Sequence, residues 1–241
     1  MADRTATLLV FGARNLGRAL AADLAAAGWN VAGVARSAET IAALEEAVPA
    51  ALGITADATK ADEVERAVTD TRERFGSLDL VVNAVTPTPR GGLGGGPLAD
   101  AAADALEPYV EDFLPVVFHV LRAGGRALAE QGSGTLIQLT GGSARRGIPE
   151  RGPWAAAAFA TRALVQSAAQ ELRERGVHVA LLIVDAVIES EKTAQMIAGR
   201  PEDATASQDD VVRAIRYLAE QTPRSWTHEL QLTPRLERWV P

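Results

Sequence analysis

Short apolar runs alternate with longer amphipathic stretches along almost the whole chain, and this alternation limits the available folds more than any other feature. The runs are rich in β-branched residues: TLLVFG, NVAGVA, LGITAD, LDLVVNA, GTLIQLT and VHVALLIV. Between them, helices are predicted over 15–27, 38–48, 60–75, near 101–130 and over 153–175. Apolar runs without polar alternation are typical of strands buried on both faces. The pattern therefore predicts an α/β fold built on a parallel sheet.

The predicted fold is a single-domain, doubly wound, Rossmann-like parallel sheet of about seven strands with helices on both faces. No linker or repeat interrupts the series, so residues 1–241 are expected to form one domain. The glycine- and proline-rich stretch 86–100 is predicted to be a loop. A last helix, capped by Ser207 and Asp210, is expected to lead to a strand near HELQL. In such a fold, ligands bind at the carboxyl ends of the strands, near the reversal of strand order.

Composition narrows the partners to small molecules or proteins. The net charge of −7 and the lack of a clustered basic face argue against nucleic acid. No apolar run approaches the roughly 18 residues of a membrane span. The chain has no cysteine, and its first residues lack the order of a secretory signal, so we expect a cytoplasmic protein.

The first strand-to-helix turn, FGARNLG, is the first candidate binding element. Gly12 and Gly17 stand where glycine lets a backbone approach a pyrophosphate at a helix N-terminus, although Asn15 occupies a middle position where glycine is expected. Arg36 ends the second strand where an acidic residue would otherwise hold ribose hydroxyls. Together with Arg14 it suits a 2′-phosphate, and hence NADP(H) over NAD(H). The alternatives are a tight turn that binds nothing and two solvated arginines.

Polar residues that follow other strands have two interpretations. Asp57 and Asn83 could meet an adenine or a ribose, or each could bond its own backbone in a turn. His119 lies among apolar residues, His178 is predicted to point outward between two valines, and His228 belongs to the tail strand. None has a metal-ligand spacing, so packing or surface roles are expected and no metal site is predicted.

The chain resembles the short-chain dehydrogenase/reductase superfamily over essentially its whole length. The resemblance is carried by FGARNLG, by Asp57 after the third strand, by VNAV with Asn83, and by the long segment from LIQLTGG to VALLIV. The ending PRSWTHELQL is similar to the tail of one divergent branch of the family. The resemblance implies a nicotinamide cofactor and a catalytic Asn, Ser, Tyr and Lys.

At those catalytic positions the sequence departs from the family pattern. The Tyr-x-x-x-Lys pair falls on Trp154 and Ala158, in a helix predicted to begin at Pro153 or Trp154. The catalytic serine falls on Gly141 and the asparagine on Phe113. An indole does not ionise near neutral pH, and alanine offers nothing to a ribose.

Two further departures lie near the expected nicotinamide position. The Pro-Gly pair of the family falls on Val184-Asp185, and the glycine turn is one residue short. Ser143 and Asp185 are expected to line the cleft. Alternatively, Ser143 is only a loop residue and Asp185 only caps the end of a strand. We therefore expect weak or absent cofactor binding, with NADP(H) preferred if any binds.

Three hypotheses follow from these substitutions. The first is an enzyme without hydride transfer, which cyclises, isomerises or eliminates an apolar substrate in a cleft floored by Trp154 and Phe113. The second is a non-catalytic subunit that pairs with an intact homologue. The third is an atypical NADP(H)-dependent oxidoreductase. A homodimer or homotetramer is expected through an apolar helix face made of Phe159, Ala163, Leu164 and Ser167.

Overall fold

A computed structural model describes residues 5–86 and 96–239. Its seven strands form one sheet in which every neighbouring pair is parallel. The strands are β1 (Thr7–Phe11), β2 (Asn30–Ala35), β3 (Leu52–Thr55), β4 (Leu80–Asn83), β5 (Gly134–Gly141), β6 (Val177–Val184) and β7 (Glu229–Leu232). Their order is β3-β2-β1-β4-β5-β6-β7. The predicted single-domain, doubly wound fold is confirmed.

Helices cover both faces of the sheet. They are α1 (Leu16–Ala26), α2 (Ala38–Ala47), α3 (Ala61–Phe75), α4 (Leu114–Gln131), α5 (Gly152–Arg173), α6 (Ala194–Ile197) and α7 (Gln208–Ala219). Buried side chains of α3, α4 and α5 form one core layer, while those of α1, α2 and α7 form the other. Within the described ranges, no helix combines the length and apolar content that crossing a membrane requires.

Strand order reverses between β1 and β4, and the carboxyl ends of the central strands lie in register. Phe11 pairs with Asn83, Gly141 pairs with Val184, and Val184 pairs with Leu232. The residues that follow β1, β4, β5, β6 and β7 therefore meet along one edge, which we call the carboxyl edge. This is the edge at which open α/β sheets bind ligands.

Most predicted helices agree with the structure within two residues, but the long helix predicted near 101–130 does not. The regular helix α4 begins at Leu114, after a π-helical turn at Tyr109–Phe113. Proline has no N–H to donate, and Pro115 occupies the first turn of α4, where none is needed. The predicted start near 101 is therefore wrong.

Two smaller predictions concern α7 and the loop after β4. Ser207 caps α7, because its Oγ accepts from the Asp210 N–H at 3.0 Å and donates to Asp210 Oδ2 at 2.6 Å. This confirms the predicted pair. The predicted loop over 86–100 falls largely on 87–95, which lie outside the described residues, and Leu98–Asp100 forms a short 3-10 helix.

Candidate functional site at the carboxyl edge

The turn between β1 and α1 is packed so closely that only glycine fits at two positions. Gly12 has a φ of 90°, and a Cβ there would lie 2.9 Å from the carbonyl carbon of Ala84. A Cβ at Gly17 would lie 2.1 Å from the Gly12 oxygen. Asn15, between the two glycines, has a positive φ of 47° with a ψ of −109°, a combination that non-glycine residues rarely adopt. The two glycines thus hold the N-terminus of α1 against the ends of β1 and β4.

Positive charge lies beside this helix N-terminus. The N–H groups of Gly12 and Ala13 both donate to the Val34 carbonyl, at 2.9 and 3.0 Å, which ties the turn to the end of β2. Arg36 follows β2 directly, and both Arg36 and Arg14 are exposed. The side chain of Asn15 makes no capping hydrogen bond to α1. A helix N-terminus with basic side chains nearby is suited to an anion.

Asp57 and Asn83 both take part in local turns at the carboxyl edge. Asp57 Oδ1 accepts from the Thr59 N–H at 3.0 Å and from its hydroxyl at 2.9 Å. The buried Asn83 accepts from the Val85 N–H at 3.2 Å and donates to Gln138 Oε1 at 2.8 Å. These bonds agree with the turn interpretation, while contact with a cofactor stays a prediction for both residues.

Trp154 belongs to an aromatic cluster inside the core. Its ring centre lies 5.3 Å from that of Phe113 and 6.0 Å from that of Tyr109. Trp154 is 8% exposed, Phe113 is 3% exposed and Tyr109 is 1% exposed. Ala158, one turn further along α5, is fully buried. The three rings thus pack on one another within the core.

Gly141 ends β5 in a less crowded place. An added Cβ would meet only the Val184 oxygen, at 3.8 Å, so a small side chain would fit at this position. The adjoining Gly142–Ala144 turn is buried, and Ser143 within it is 3% exposed. Ser143 therefore lies at the carboxyl edge without presenting an open surface.

Asp185 follows β6 and is buried against the loop that follows β5. Its Oδ2 lies 3.2 Å from Nη1 of Arg146, and the residue is 8% exposed. Burial raises the pKa of Asp185 above its usual value, the Arg146 charge opposes this rise, and Glu237 adds to it. Asp185 thus lies in charge contact with Arg146, although the two facing atoms are not aligned for a hydrogen bond. Neither Arg146 nor Glu237 was anticipated from the sequence.

A second missed cluster surrounds Glu229 at the start of β7. Arg162 Nε donates to Glu229 Oε1 at 2.7 Å, Gln166 donates to the same oxygen at 3.0 Å, and Arg145 donates to Oε2 at 2.9 Å. Burial alone would raise the pKa of Glu229, but the hydrogen bonds and the arginine charges bring it below its usual value. An acidic residue at the start of the predicted last strand was the available signal.

The histidines pack against backbone. His178 was predicted to point outward, which is wrong, because it is 1% exposed. Its Nε2–H donates to the Thr227 carbonyl oxygen at 2.9 Å, and its ring stacks on Trp226. The Trp226 ring, in the segment before β7, covers it. His119 and His228 contact the carbonyls of Ala58 and Val179. Among residues 5–86 and 96–239, no group of three or more His, Cys, Asp or Glu is arranged to hold a metal.

Comparisons with known proteins agree with this architecture. Residues 6–200 match the short chain dehydrogenase family. The 3-oxoacyl-[acyl-carrier-protein] reductase of Staphylococcus aureus is 29% identical over 89% of this chain and 91% of its own length. An alcohol dehydrogenase from the archaeon Thermococcus sibiricus, complexed with 5-hydroxy-NADP, is 25% identical with a TM-score of 0.83 over 99% of this chain and all of the other. A metagenomic short-chain oxidoreductase in complex with NADP has the same fold, at 24% identity and a TM-score of 0.78 over 97% and 99% of the two chains.

These matches correct the functional hypotheses. An enzyme without hydride transfer and a non-catalytic subunit are both contradicted, because the similar proteins are oxidoreductases over nearly the full length of the chain. Nor do the comparisons support weak or absent cofactor binding. With the seven-stranded sheet, the glycine turn and the match over residues 6–200, the chain belongs to the short-chain dehydrogenase family.

Proposed function

We propose that this protein is an NADP(H)-dependent oxidoreductase that interconverts a carbonyl group and an alcohol on a small molecule. The observation that carries the proposal is the turn between β1 and α1, where Gly12 and Gly17 hold a helix N-terminus beside Arg14 and Arg36. Family membership supplies the reaction class. Complexes of two similar proteins with NADP and 5-hydroxy-NADP support the choice of cofactor.

The residues at this turn fit the phosphate end of a dinucleotide. Glycine at position 12 keeps the backbone free of a side chain where a pyrophosphate would approach, and the uncapped α1 N-terminus favours negative charge. Arg36 directly after β2, with Arg14 in the turn, would pair with a 2′-phosphate. Asp57 and Asn83 would hold the turns against which the adenine and ribose lie.

The cofactor, when bound, supplies or accepts a hydride. Trp154 and Ala158 stand where the family resemblance places the tyrosine and lysine, and neither side chain exchanges a proton near neutral pH. We therefore take solvent water at the carboxyl edge as the source of the substrate's proton.

The substrate class to test first is a 3-oxoacyl thioester, since a 3-oxoacyl reductase is 29% identical over 89% of the chain. Simple ketones and secondary alcohols form the second group, because another similar protein is an alcohol dehydrogenase. The proposal extends to a homodimer or homotetramer in the cytoplasm, for which the exposed Phe159 and the absence of cysteine are the supporting observations.

The direct test is calorimetric titration of the purified protein with NADPH and with NADH. We expect NADPH to bind more tightly. Arg36→Ala should weaken NADPH binding by about 10- to 100-fold, since a charge-assisted hydrogen bond contributes roughly 1.5 to 3 kcal/mol. The same change should leave NADH binding nearly unaltered.

Arg224→Ala is the matched control, because Arg224 is also exposed but precedes β7. It should change neither affinity. Equal affinity for both cofactors, or equal effects of the two arginine variants on NADPH binding, would refute the assignment of Arg36. Failure of both cofactors to bind at millimolar concentration would refute the proposed function.

A further inference from the structure

The residues after β7 cross the carboxyl edge of the sheet. We call residues 233–239 the C-terminal tail. Oε1 of Glu237 lies 3.4 Å from Nη2 of Arg146, and the guanidinium carbon of Arg146 lies 4.3 Å from the ring centre of Trp239. Arg146 belongs to the loop after β5, and β6 lies between β5 and β7 in the sheet. The tail therefore passes over the end of β6 on its way from β7 to this loop.

A second set of contacts fixes the tail to the segment between β6 and α7. Arg235 Nε donates to Asp203 Oδ2 at 2.8 Å, and the Leu236 N–H donates to the Asp203 carbonyl at 3.0 Å. Asp203 belongs to a short 3-10 helix, Glu202–Ala204. The tail thus joins the loop that follows β5 to the segment that follows β6, and these two segments flank the proposed site.

Arg146 links these segments, because its guanidinium contacts two carboxylates that belong to different segments. Nη1 faces the buried Asp185 at 3.2 Å, while Nη2 faces Glu237 of the tail. The Arg146 side chain is only 21% exposed. Without its charge, Asp185 and Glu237 would repel each other, and Trp239 would lose the cation on its ring face.

We propose that Arg146 is a positioning residue that holds the C-terminal tail across the carboxyl edge, so that Glu237 and Trp239 form a wall at the substrate end of the site. The term substrate end rests on the proposed function, whereas the attachment of the tail does not. The wall limits entry from the side of β6 and β7. Its removal would expose the loop after β5 and the segment after β6 to solvent.

Trypsin provides a test that needs no activity, because Arg235 and Arg238 are cleavage sites within the tail. Arg146→Met should speed the loss of the residues after Arg235 by about tenfold, since cleavage follows the population of the open form. Arg146→Lys, which keeps the charge but not the planar fork, should give an intermediate rate. Arg151→Met is the control, because it removes an equal charge from an exposed residue in the same loop whose hydrogen bonds are made by its backbone. Trypsin should cleave the tail of this variant at the wild-type rate.

Glu237→Gln covers the case in which Arg146→Met unfolds. It removes the tail's carboxylate without touching Asp185 and should speed cleavage several-fold while leaving the melting temperature nearly unchanged. Hydrogen exchange should quicken in 141–147 and 185–190 in both variants and stay slow in Arg151→Met. Tail cleavage at the wild-type rate in Arg146→Met and Glu237→Gln would overturn the proposal. Faster cleavage of the tail with unaltered hydrogen exchange in 141–147 and 185–190 would refute the proposal that Glu237 and Trp239 form a wall at the site.

Kinetics then separate this proposal from the proposed function. With NADPH and a reducible ketone, Arg146→Met should raise KM for the ketone several-fold and change kcat less than twofold, with the Kd of NADPH unaltered. A fall in kcat alone would contradict a positioning role. Wild-type protein that binds no NADPH would refute the proposed function, while the cleavage and exchange results would still decide whether Arg146 holds the tail.

Discussion

Gly142 and Asp185 share one space at the carboxyl edge. A Cβ on Gly142 would lie 1.8 Å from Oδ1 of Asp185, so the carboxylate occupies the position that any other residue would fill with its side chain. The backbone of Gly142 has no positive φ. Glycine is therefore required here by the neighbouring carboxylate and not by the conformation of the chain.

Gly142→Ala should displace the Asp185 side chain and break its ion pair with Arg146. We expect a loss of about 3 kcal/mol in the free energy of unfolding, the cost of leaving a buried charge without its partner. Urea denaturation measures it. Gly147→Ala is the control, because an added Cβ there meets nothing within 4 Å. Similar stability of the two variants would show that Asp185 relocates without cost.

Asp185→Asn should change the dependence of stability on pH. Burial raises the folded-state pKa of Asp185 above its usual 3.8, so the folded protein holds this proton to higher pH than the unfolded chain. The wild type therefore loses stability as pH rises from about 3.8 through the folded-state pKa. The melting temperature of the variant, relative to the wild type, should increase over that range and then level off. A difference that is constant from pH 4 to 8 would contradict this.

Glu229→Gln should destabilise the protein by about 1.5 to 3 kcal/mol at neutral pH, since hydrogen bonds to a charged group are lost. The pKa of Glu229 lies below its usual value, so its contribution is present above 4.5 and disappears as pH falls through the folded-state pKa. The destabilisation should shrink accordingly in acid. Chemical denaturation measures the free energy of unfolding of each variant. Glu171→Gln, at an exposed glutamate on α5, is the control and should change that free energy little.

Trp154→Ala should cost about 3 to 5 kcal/mol in the free energy of unfolding, because it removes a buried aromatic ring that packs on Phe113 and Tyr109. NADPH affinity of the folded variant should stay within a few-fold of the wild type. Thermal unfolding and calorimetry on one preparation provide both values. Loss of NADPH binding without loss of stability would mean that Trp154 contacts the cofactor.

Phe159→Asp should convert the expected dimer or tetramer to smaller species. Phe159 on α5 is 44% exposed and Phe118 on α4 is 50% exposed, so each of these helices presents an exposed aromatic side chain. A charge placed there would not be tolerated in a buried interface. Light scattering on a sizing column measures the mass. Tyr217→Asp on α7 is the control, because Tyr217 is 56% exposed and lies on another helix, and it should leave the mass unchanged. A wild-type protein that is monomeric would refute the expected dimer or tetramer.

The sequence by itself determined the sheet, the placement of most helices and the glycine turn. Strands buried on both faces need uninterrupted apolar runs, and a turn with backbone atoms in contact needs glycine, so both leave a local pattern. Gly12 and Gly17 were identified in this way, as was the Ser207 cap of α7. A local pattern could not show that Trp154 lies in the core, because a buried ring and a pocket floor need the same residue type.

The tertiary structure alone decided which charges meet. Arg145 and Glu229 are 84 residues apart, and Arg146 reaches partners after β6 and after β7, so nothing in the spacing connects them. His178 is buried because a later segment covers its strand, which an alternation of valines with one histidine does not reveal. Parallel strands bring the ends of distant segments to one edge, and the contacts at this edge depend on strand order, which the local pattern of each strand does not contain.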